Sequence, residues 1–165
     1  VPWAFHFTTA DATLDFTVTS VHTAQESDQV ARRQGELMRT AQYAANASEK
    51  DQIILGDMNF QRCDEVQGGV PSGFVTLNAT CEITNVGRDG KPFDHVLYRP
   101  TFTDNDLVPN SFVVLDLVEL MRPYWTDPDM DYPAPPGANA NTFASYFSDH
   151  KPIEFRMVYG VRDDD

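Results

Sequence analysis

Four short groups of polar residues in this 165-residue sequence have side chains that suit metal binding or proton transfer. The first is Gly56-Asp57-Met58-Asn59, which directly follows the apolar run Ile53-Ile54-Leu55. The carboxylate can bind a hard cation or hold a nucleophilic water, and the amide of Asn59 can donate to a phosphate oxygen. Aspartate and asparagine are also common in turns for local reasons, so a turn explains this group equally well when it is taken alone.

The second group is Ser148-Asp149-His150-Lys151-Pro152, just before the last apolar run of the chain. Asp149 can bind a metal or a water, and His150 can exchange a proton near neutral pH. Adjacent Asp and His side chains are poorly placed to contact each other, so each needs a partner elsewhere. An exposed loop is an equally good interpretation of this motif by itself.

The third group, Phe93-Asp94-His95-Val96, has an aspartate at the head of an apolar strand. Burial there costs free energy unless the carboxylate is paired, and a histidine that it orients is the natural partner. The fourth group is Val21-His22-Thr23, at the end of another predicted strand. A lone histidine in that place is more often structural than catalytic.

Alternating apolar and polar residues predict strands over 3–9 and 14–21, joined as a hairpin by 10–12. Ser27 or Asp28 is expected to cap a helix that runs to about Asn46. The run 53–55 suits a strand buried on both faces, so the order strand, helix, strand predicts a layered α/β architecture.

The rest of the chain gives weaker patterns. Further strands are predicted over 93–98 and 153–159, long surface loops over 60–92, and an extended loop over the proline-rich 123–142, whereas 111–120 is ambiguous between strand and helix. The four polar groups all lie at or beside predicted strand ends, where open α/β sheets build their sites. Their conjunction therefore carries more weight than any one of them.

The order of these motifs along the chain resembles that of the DNase I-like endonuclease/exonuclease/phosphatase superfamily. The order is Val-His-Thr, a helix, Gly-Asp-Met-Asn, Phe-Asp-His-Val-Leu-Tyr and then Ser-Asp-His-Lys-Pro-Ile. The resemblance covers about residues 2–157. It implies an α/β fold, in detail the four-layer α+β sandwich with mainly antiparallel sheets and flanking helices. Residues 1–165 would be a single partial domain, the C-terminal portion of that fold.

The resemblance also implies roles for three of these residues. His22 would contact the scissile phosphate and protonate the leaving oxygen. Asp57 would position the attacking water or a metal, and Asn59 would bind the phosphate through its amide.

By the same resemblance, Asp94 would orient His150, the catalytic histidine, and Asp149 would bind metal or water. The expected metal ligands are thus Asp149 and Asp57, and the expected cofactor is Mg²⁺, with Mn²⁺ or Ca²⁺ as alternatives. In-line attack on a phosphodiester builds negative charge that a cation, an amide and an imidazolium would stabilise.

The superfamily's first metal-binding glutamate lies in an N-terminal segment without a counterpart here, since Glu26, the first glutamate, already follows His22. Two alternatives are favoured together. The chain is a portion of a full enzyme, with the missing segment on another chain or removed, or it is a portion that folds alone but is catalytically crippled. A divergent noncatalytic member is the third alternative. Sheet surface left exposed by the missing strands would favour self-association.

The net charge of −13 argues against a nucleic-acid coat protein but not against a nuclease, because divalent cations can supply positive charge. Cys63 and Cys81 suit one disulfide, which predicts a secreted, periplasmic or extracellular location. They also resemble the disulfide of secreted DNase I relatives. The longest apolar stretch, 111–121, is too short and too charged to span a bilayer.

The predicted function is metal-dependent phosphodiester hydrolysis, with DNA as the expected substrate and an endonuclease as the expected enzyme. A phosphomonoesterase or sphingomyelinase of the same superfamily is one alternative, and a noncatalytic binding fragment is another. A calcium site at Asp127, Asp129 and Asp131 is a further alternative to a plain acidic loop, although the segment lacks the glycine and terminal glutamate of an EF-hand loop.

Overall fold

A computed structural model describes residues 2–87, 89–135 and 139–158, and it has the predicted mixed α/β class. The main sheet has five strands in the order β1-β2-β3-β5-β4, and only the β2–β3 pair is parallel. These strands are β1 (Trp3–Thr8), β2 (Asp15–His22), β3 (Gln52–Asp57), β4 (Val75–Thr76) and β5 (Asp94–Tyr98). A separate antiparallel pair consists of β6 (Val113–Val114) and β7 (Ile153–Glu154).

Five α-helices accompany the strands within the described residues. They are α1 (Val30–Ala45), α2 (Cys63–Gly69), α3 (Pro100–Thr103), α4 (Leu117–Met121) and α5 (Asn139–Tyr146), with single 3₁₀ turns at Asp104–Asp106 and Arg122–Tyr124. None of these helices has the length and apolar character needed to cross a membrane.

The predicted hairpin is confirmed, with Trp3 opposite Ser20 and Thr8 opposite Asp15. All six residues of β1 are exposed, and the side chain of Trp3 is 73% exposed. Phe7 stacks on Phe16 of β2 at a ring separation of 5.3 Å. Among the described residues, β1 is therefore an edge strand with aromatic side chains in solvent.

Helix α1 connects β2 to β3 and packs on one face of the sheet. It begins at Val30 after Gln29, which provides no side-chain cap, so the predicted capping by Ser27 or Asp28 is wrong. Leu37 of α1 is fully buried with Ile54 of β3 and Leu97 of β5 in the main core. This packing fixes β2 and β3 side by side, so that their carboxyl ends share one edge of the sheet.

Several loop predictions are wrong in part. The segment 60–92 contains α2 and β4, because α2 is stabilised by a buried contact between Glu65 and α1 that local sequence does not reveal. The ambiguous segment is both strand and helix: β6 gives way to α4 at Asp116, whose carboxylate accepts from the Val118 and Glu119 amides. Within 123–142, helix α5 begins at Asn139, whereas residues 125–135 form neither helix nor strand.

The predicted strand over 153–159 is shorter than expected. β7 ends at Glu154, and the Arg156 amide then donates to Ser111 Oγ instead of a strand carbonyl. Met157 forms only an isolated bridge with Leu107, and Tyr159 lies outside the described residues.

The predicted disulfide is not formed, since Cys63 and Cys81 are free thiols. Cys63 is exposed at the start of α2, and Cys81 is partly buried with a left-handed φ of 57°. Burial, and then a hydrogen bond with Cys63, raise the pKa of the Cys81 thiol to about 11. The two sulfurs are therefore not at covalent distance.

Candidate functional site

Asp57 and His22 meet because β2 and β3 run parallel in a register that pairs their last residues. Nε2 of His22 lies 3.5 Å from Oδ2 of Asp57. The register depends on Gly56, which has a φ of 136° and whose added Cβ would lie only 2.1 Å from the carbonyl oxygen of Val21. Glycine at this position therefore lets the two strands approach at the edge that carries the site.

Asp94 lies at the same end of the sheet, beside Asp57. It is the first residue of β5, which is antiparallel to β3 and pairs Asp94 with Asp57. His150 arrives from a distant segment that pairs with residues 84–86, where the Lys151 amide donates to the Thr84 carbonyl and the Val86 amide to that of Asp149. Three of the predicted groups thus converge through strand pairing, and His22 joins them through β2.

His150 contacts both carboxylates. Its Nδ1 lies 2.8 Å from Asp94 Oδ2, and its Nε2 lies 3.6 Å from Asp57 Oδ2. The ring also packs against Phe93, with 5.8 Å between the ring centroids. Because Nδ1 donates to Asp94, the imidazole is held with Nε2 directed towards Asp57, which is the orienting arrangement expected for this pair.

The electrostatics of the site favour a charged His150. The hydrogen bond to Asp94 is the largest cause that raises the pKa of His150 to about 9, with further contributions from the charges of Asp94, Asp57 and Asp149 and with burial opposing them. The raised pKa favours the imidazolium form of His150 in the metal-free chain. Burial raises the pKa of Asp57, opposed by the Asn59 amide and by the charges of His150 and His22.

Asn59 lies beside the site but is almost completely buried, with a left-handed φ of 53° that asparagine tolerates well. Its Nδ2 donates to the Thr23 carbonyl at 3.0 Å, and its backbone amide donates to Asp57 Oδ1 at 2.9 Å. The side chain thus ties the loop after β3 to the loop after β2. Phosphate binding by this amide stays a prediction.

Asp57, Asp94 and His150 form a group whose ligand atoms all lie within 4.8 Å of one another. Two carboxylates suit a hard divalent cation, whereas a protonated imidazole cannot coordinate one. The predicted ligand Asp57 belongs to this group. The predicted ligand Asp149 is not a member of this group, and its role as a ligand stays a prediction.

The other motif histidine, His95, is fully buried on the opposite side of β5. Nε2 contacts the Pro92 carbonyl at 2.8 Å, and Nδ1 contacts the Thr76 hydroxyl at 3.0 Å. Burial lowers the pKa of His95 to about 4, so the ring stays neutral and has a structural role.

A second group with metal-type side chains consists of His6, Asp15 and Glu49, at the exposed edge of the sheet. Within the described ranges, Asp127, Asp129 and Asp131 do not form such a group. The Asp127 carboxylate instead accepts from the Asp129 amide in a local turn. The calcium-site alternative therefore stays a prediction, as does its competitor, a plain acidic loop.

Sequence reasoning missed the buried ion pair between Arg33 of α1 and Glu65 of α2, which lies behind the site. The available signal was helical spacing: Arg33 shares the buried side of α1 with Leu37, Ala41 and Ala44. A charged residue in an apolar stripe is costly unless it is paired.

No protein-family model matches the chain, and a comparison with curated proteins finds no match either. Solved structures do match, at identities that establish the fold alone. Danio rerio TDP2 complexed with single-strand DNA product aligns with a TM-score of 0.58 and 17% identity, over 91% of this chain and 58% of that one. A humanized D. rerio TDP2 aligns with a TM-score of 0.51 and 21% identity, over 65% and 48%.

The mannosyl-6-phosphatase Bt3783 of Bacteroides thetaiotaomicron aligns with a TM-score of 0.57 and 16% identity, over 94% of this chain and 56% of that one. These structures have the DNase I-like fold of the endonuclease/exonuclease/phosphatase superfamily, so the fold expected from the ordered motifs is confirmed. The chain spans about half the length of the structures that it matches.

Proposed function

We propose that this chain carries the catalytic-histidine part of a metal-dependent phosphoesterase, with a DNA phosphodiester as its substrate. One observation carries the proposal: the Asp57 carboxylate lies between two imidazoles, 3.5 Å from His22 and 3.6 Å from His150. A structural role would not need two half-exposed or exposed histidines around one desolvated carboxylate. Desolvated carboxylates beside histidines are typical of sites that transfer protons.

Each residue has a distinct part in the proposed reaction. His150, charged and oriented by Asp94, stabilises negative charge as it develops on the nonbridging oxygens of the phosphate. Asp57 accepts the proton of the attacking water, which its raised pKa favours. His22 is the most exposed of these side chains, 69% in solvent, and donates a proton to the leaving oxygen.

A divalent cation fits the two carboxylates of this group: Asp57 and Asp94 are the residues that would hold it, and with the cation bound Asp57 would position the attacking water. When bound, it would supply Lewis-acid stabilisation of the phosphate charge. Mg²⁺ is the proposed ion because carboxylate oxygens suit it, with Mn²⁺ and Ca²⁺ as alternatives. Asp149, adjacent to His150, stays a proposed water or metal ligand.

The nuclease activity is tested by incubating supercoiled plasmid with the gene-encoded protein that contains this chain, with Mg²⁺ and with EDTA. The expected result is Mg²⁺-dependent conversion to nicked circles. Absence of cleavage with Mg²⁺, Mn²⁺ and Ca²⁺ alike would overturn the DNA assignment.

A phosphomonoesterase is the second candidate, and the alignment with a mannosyl-6-phosphatase favours it over a sphingomyelinase. Release of inorganic phosphate from mannose 6-phosphate, without plasmid cleavage, would select it. The same assays on the isolated 165-residue chain test whether it is active alone. Inactivity of the isolated chain, beside activity of the gene-encoded protein that contains it, would mean that the activity needs residues outside these 165.

A further inference from the structure

A buried ion pair joins the two helices behind the candidate site. Arg33 of α1 is completely buried, and its Nε and Nη2 lie 2.8 Å and 2.5 Å from Oε1 of Glu65 on α2. Because both ions lose their hydration, such a pair is often no more stabilising than two well-packed apolar residues. Stability alone therefore does not account for charges at this place.

The remaining polar atoms of the pair bind two loops. Arg33 Nη1 donates to the carbonyls of Ala24 and Glu26, at 3.3 Å and 2.5 Å. Glu65 Oε2 accepts from the Gln61 amide at 3.0 Å. The guanidinium thus holds the loop after β2, and the carboxylate holds the loop after β3.

These two loops begin with the residues of the candidate site. Ala24 follows His22 by two positions, and Gln61 follows Asn59 by two. Direct hydrogen bonds also join the loops, from Asn59 Nδ2 to the Thr23 carbonyl at 3.0 Å and from the Thr23 hydroxyl to the Met58 carbonyl at 2.7 Å. The loop after β2 and the loop after β3 are thus connected twice behind His22 and Asp57, once through the ion pair and once through these direct hydrogen bonds.

We propose that Arg33 and Glu65 are positioning residues that set the separation between the loop after His22 and the loop after Asp57. The fork of the guanidinium suits this role because it reaches the carboxylate and two carbonyls at once, which a lysine cannot do. The consequence for catalysis rests on the proposed function. A shift of about 1 Å in a reacting group can cost about 10²-fold in rate.

The test compares the 165-residue chain with the double variant Arg33→Met/Glu65→Leu, which removes both charges and leaves neither unpaired. Amide hydrogen exchange is followed at Thr23 and Asn59, whose amides donate to Asp57 and contact neither member of the pair. We expect exchange there to be at least about 10-fold faster, with unchanged protection at Ile54 and Leu97 in the core.

The exposed pair Arg62–Asp64 provides a matched control, with both side chains more than two thirds in solvent. The double variant Arg62→Met/Asp64→Leu is expected to leave exchange at Thr23 and Asn59 unchanged. If the buried double variant does not fold, Glu65→Gln replaces it, because that change keeps an acceptor for Arg33 and turns an amide towards the Gln61 N–H. Unchanged exchange at Thr23 and Asn59 in the variant that folds would overturn the proposal.

A kinetic arm separates positioning from the proposed activity. In the gene-encoded protein that contains this chain, the same double variant is expected to lower kcat for plasmid or diester cleavage about 10-fold or more, with KM within about 2-fold. Loss of kcat in proportion to the unfolded fraction would mean a merely structural pair and would overturn the proposal. An inactive wild-type protein would refute the proposed function, while the exchange measurement still decides the positioning role.

Discussion

His150 Nδ1 and Asp94 Oδ2 lie 2.8 Å apart although 56 residues separate them in the chain. Asp94 stands at the start of β5, and His150 is held by the pairing of its segment with residues 84–86. The same histidine turns Nε2 towards Asp57. The pair therefore links two sequence motifs that each have a satisfactory structural explanation when taken alone.

Asp94→Asn should lower the pKa of His150 from about 9 towards its ordinary value, because the hydrogen bond to Asp94 is the largest cause of the shift. NMR titration of the His150 ring in the metal-free chain measures this. Asp129→Asn, at an exposed carboxylate in the acidic loop, is the control and should leave the titration unchanged. A His150 pKa still near 9 in Asp94→Asn would contradict the account of the pair.

His95 should make the chain less stable in acid. The unfolded chain binds a proton at a pKa of about 6.5, whereas burial keeps folded His95 neutral down to about 4. Stability is fully present above about pH 6.5 and is lost as the pH falls towards 4. Between about pH 7 and pH 5 this loss is on the order of 2 kcal/mol.

Urea unfolding of the wild-type chain and of His95→Gln, at both pH values, measures that loss. The variant should lose about 2 kcal/mol less than the wild type over the interval. Equal losses in the wild type and His95→Gln would show that His95 titrates normally in the folded chain.

Gly56→Ala should destabilise the chain by at least about 1–3 kcal/mol, because the new Cβ would meet the Val21 carbonyl in a backbone conformation that alanine rarely adopts. Gly68→Ala is the matched control: nothing lies within 4 Å of its added Cβ, and it sits in α2. It should be neutral or stabilising by about 0.5–1 kcal/mol. Thermal or urea unfolding distinguishes the two variants, and equal stabilities would refute the close approach of β2 and β3.

Alkylation should distinguish the two thiols. At about pH 8, iodoacetamide should modify exposed Cys63 faster than Cys81, because the raised pKa of Cys81 leaves little thiolate there. Peptide mass spectrometry of the non-reduced chain measures both rates. Failure of both residues to react before reduction, and reaction after it, would mean that a disulfide had formed after all.

The sequence predicted the hairpin β1–β2, helix α1 and strands β3 and β5, because their apolar periodicity is strong and local. It also predicted that His22, Asp57, Asp94 and His150 belong to one site, since each motif lies at or beside the end of a predicted strand. These positions agree with the structure, while their catalytic roles stay proposals.

Other features depend on long-range contacts that no local pattern reveals. Helix α2 exists beside α1 because Glu65 meets Arg33, and β7 stops where the Ser111 hydroxyl replaces a strand carbonyl. The sequence also did not reveal that the Asn59 side chain donates to the Thr23 carbonyl, while its expected contact with phosphate stays a prediction. Two cysteines favour a disulfide by composition, but only the three-dimensional structure determines the distance between their sulfurs.

Plasmid cleavage by His150→Ala tests the central claim most directly. In the gene-encoded protein that contains this chain, with Mg²⁺, this variant should lose about 10²–10⁴-fold of the wild-type rate, because it removes the charge that Asp94 orients towards Asp57. His6→Ala, at an exposed histidine on β1, should cleave at the wild-type rate. Cleavage by His150→Ala at a rate close to that of the wild type would contradict the assignment of His150 as the catalytic histidine.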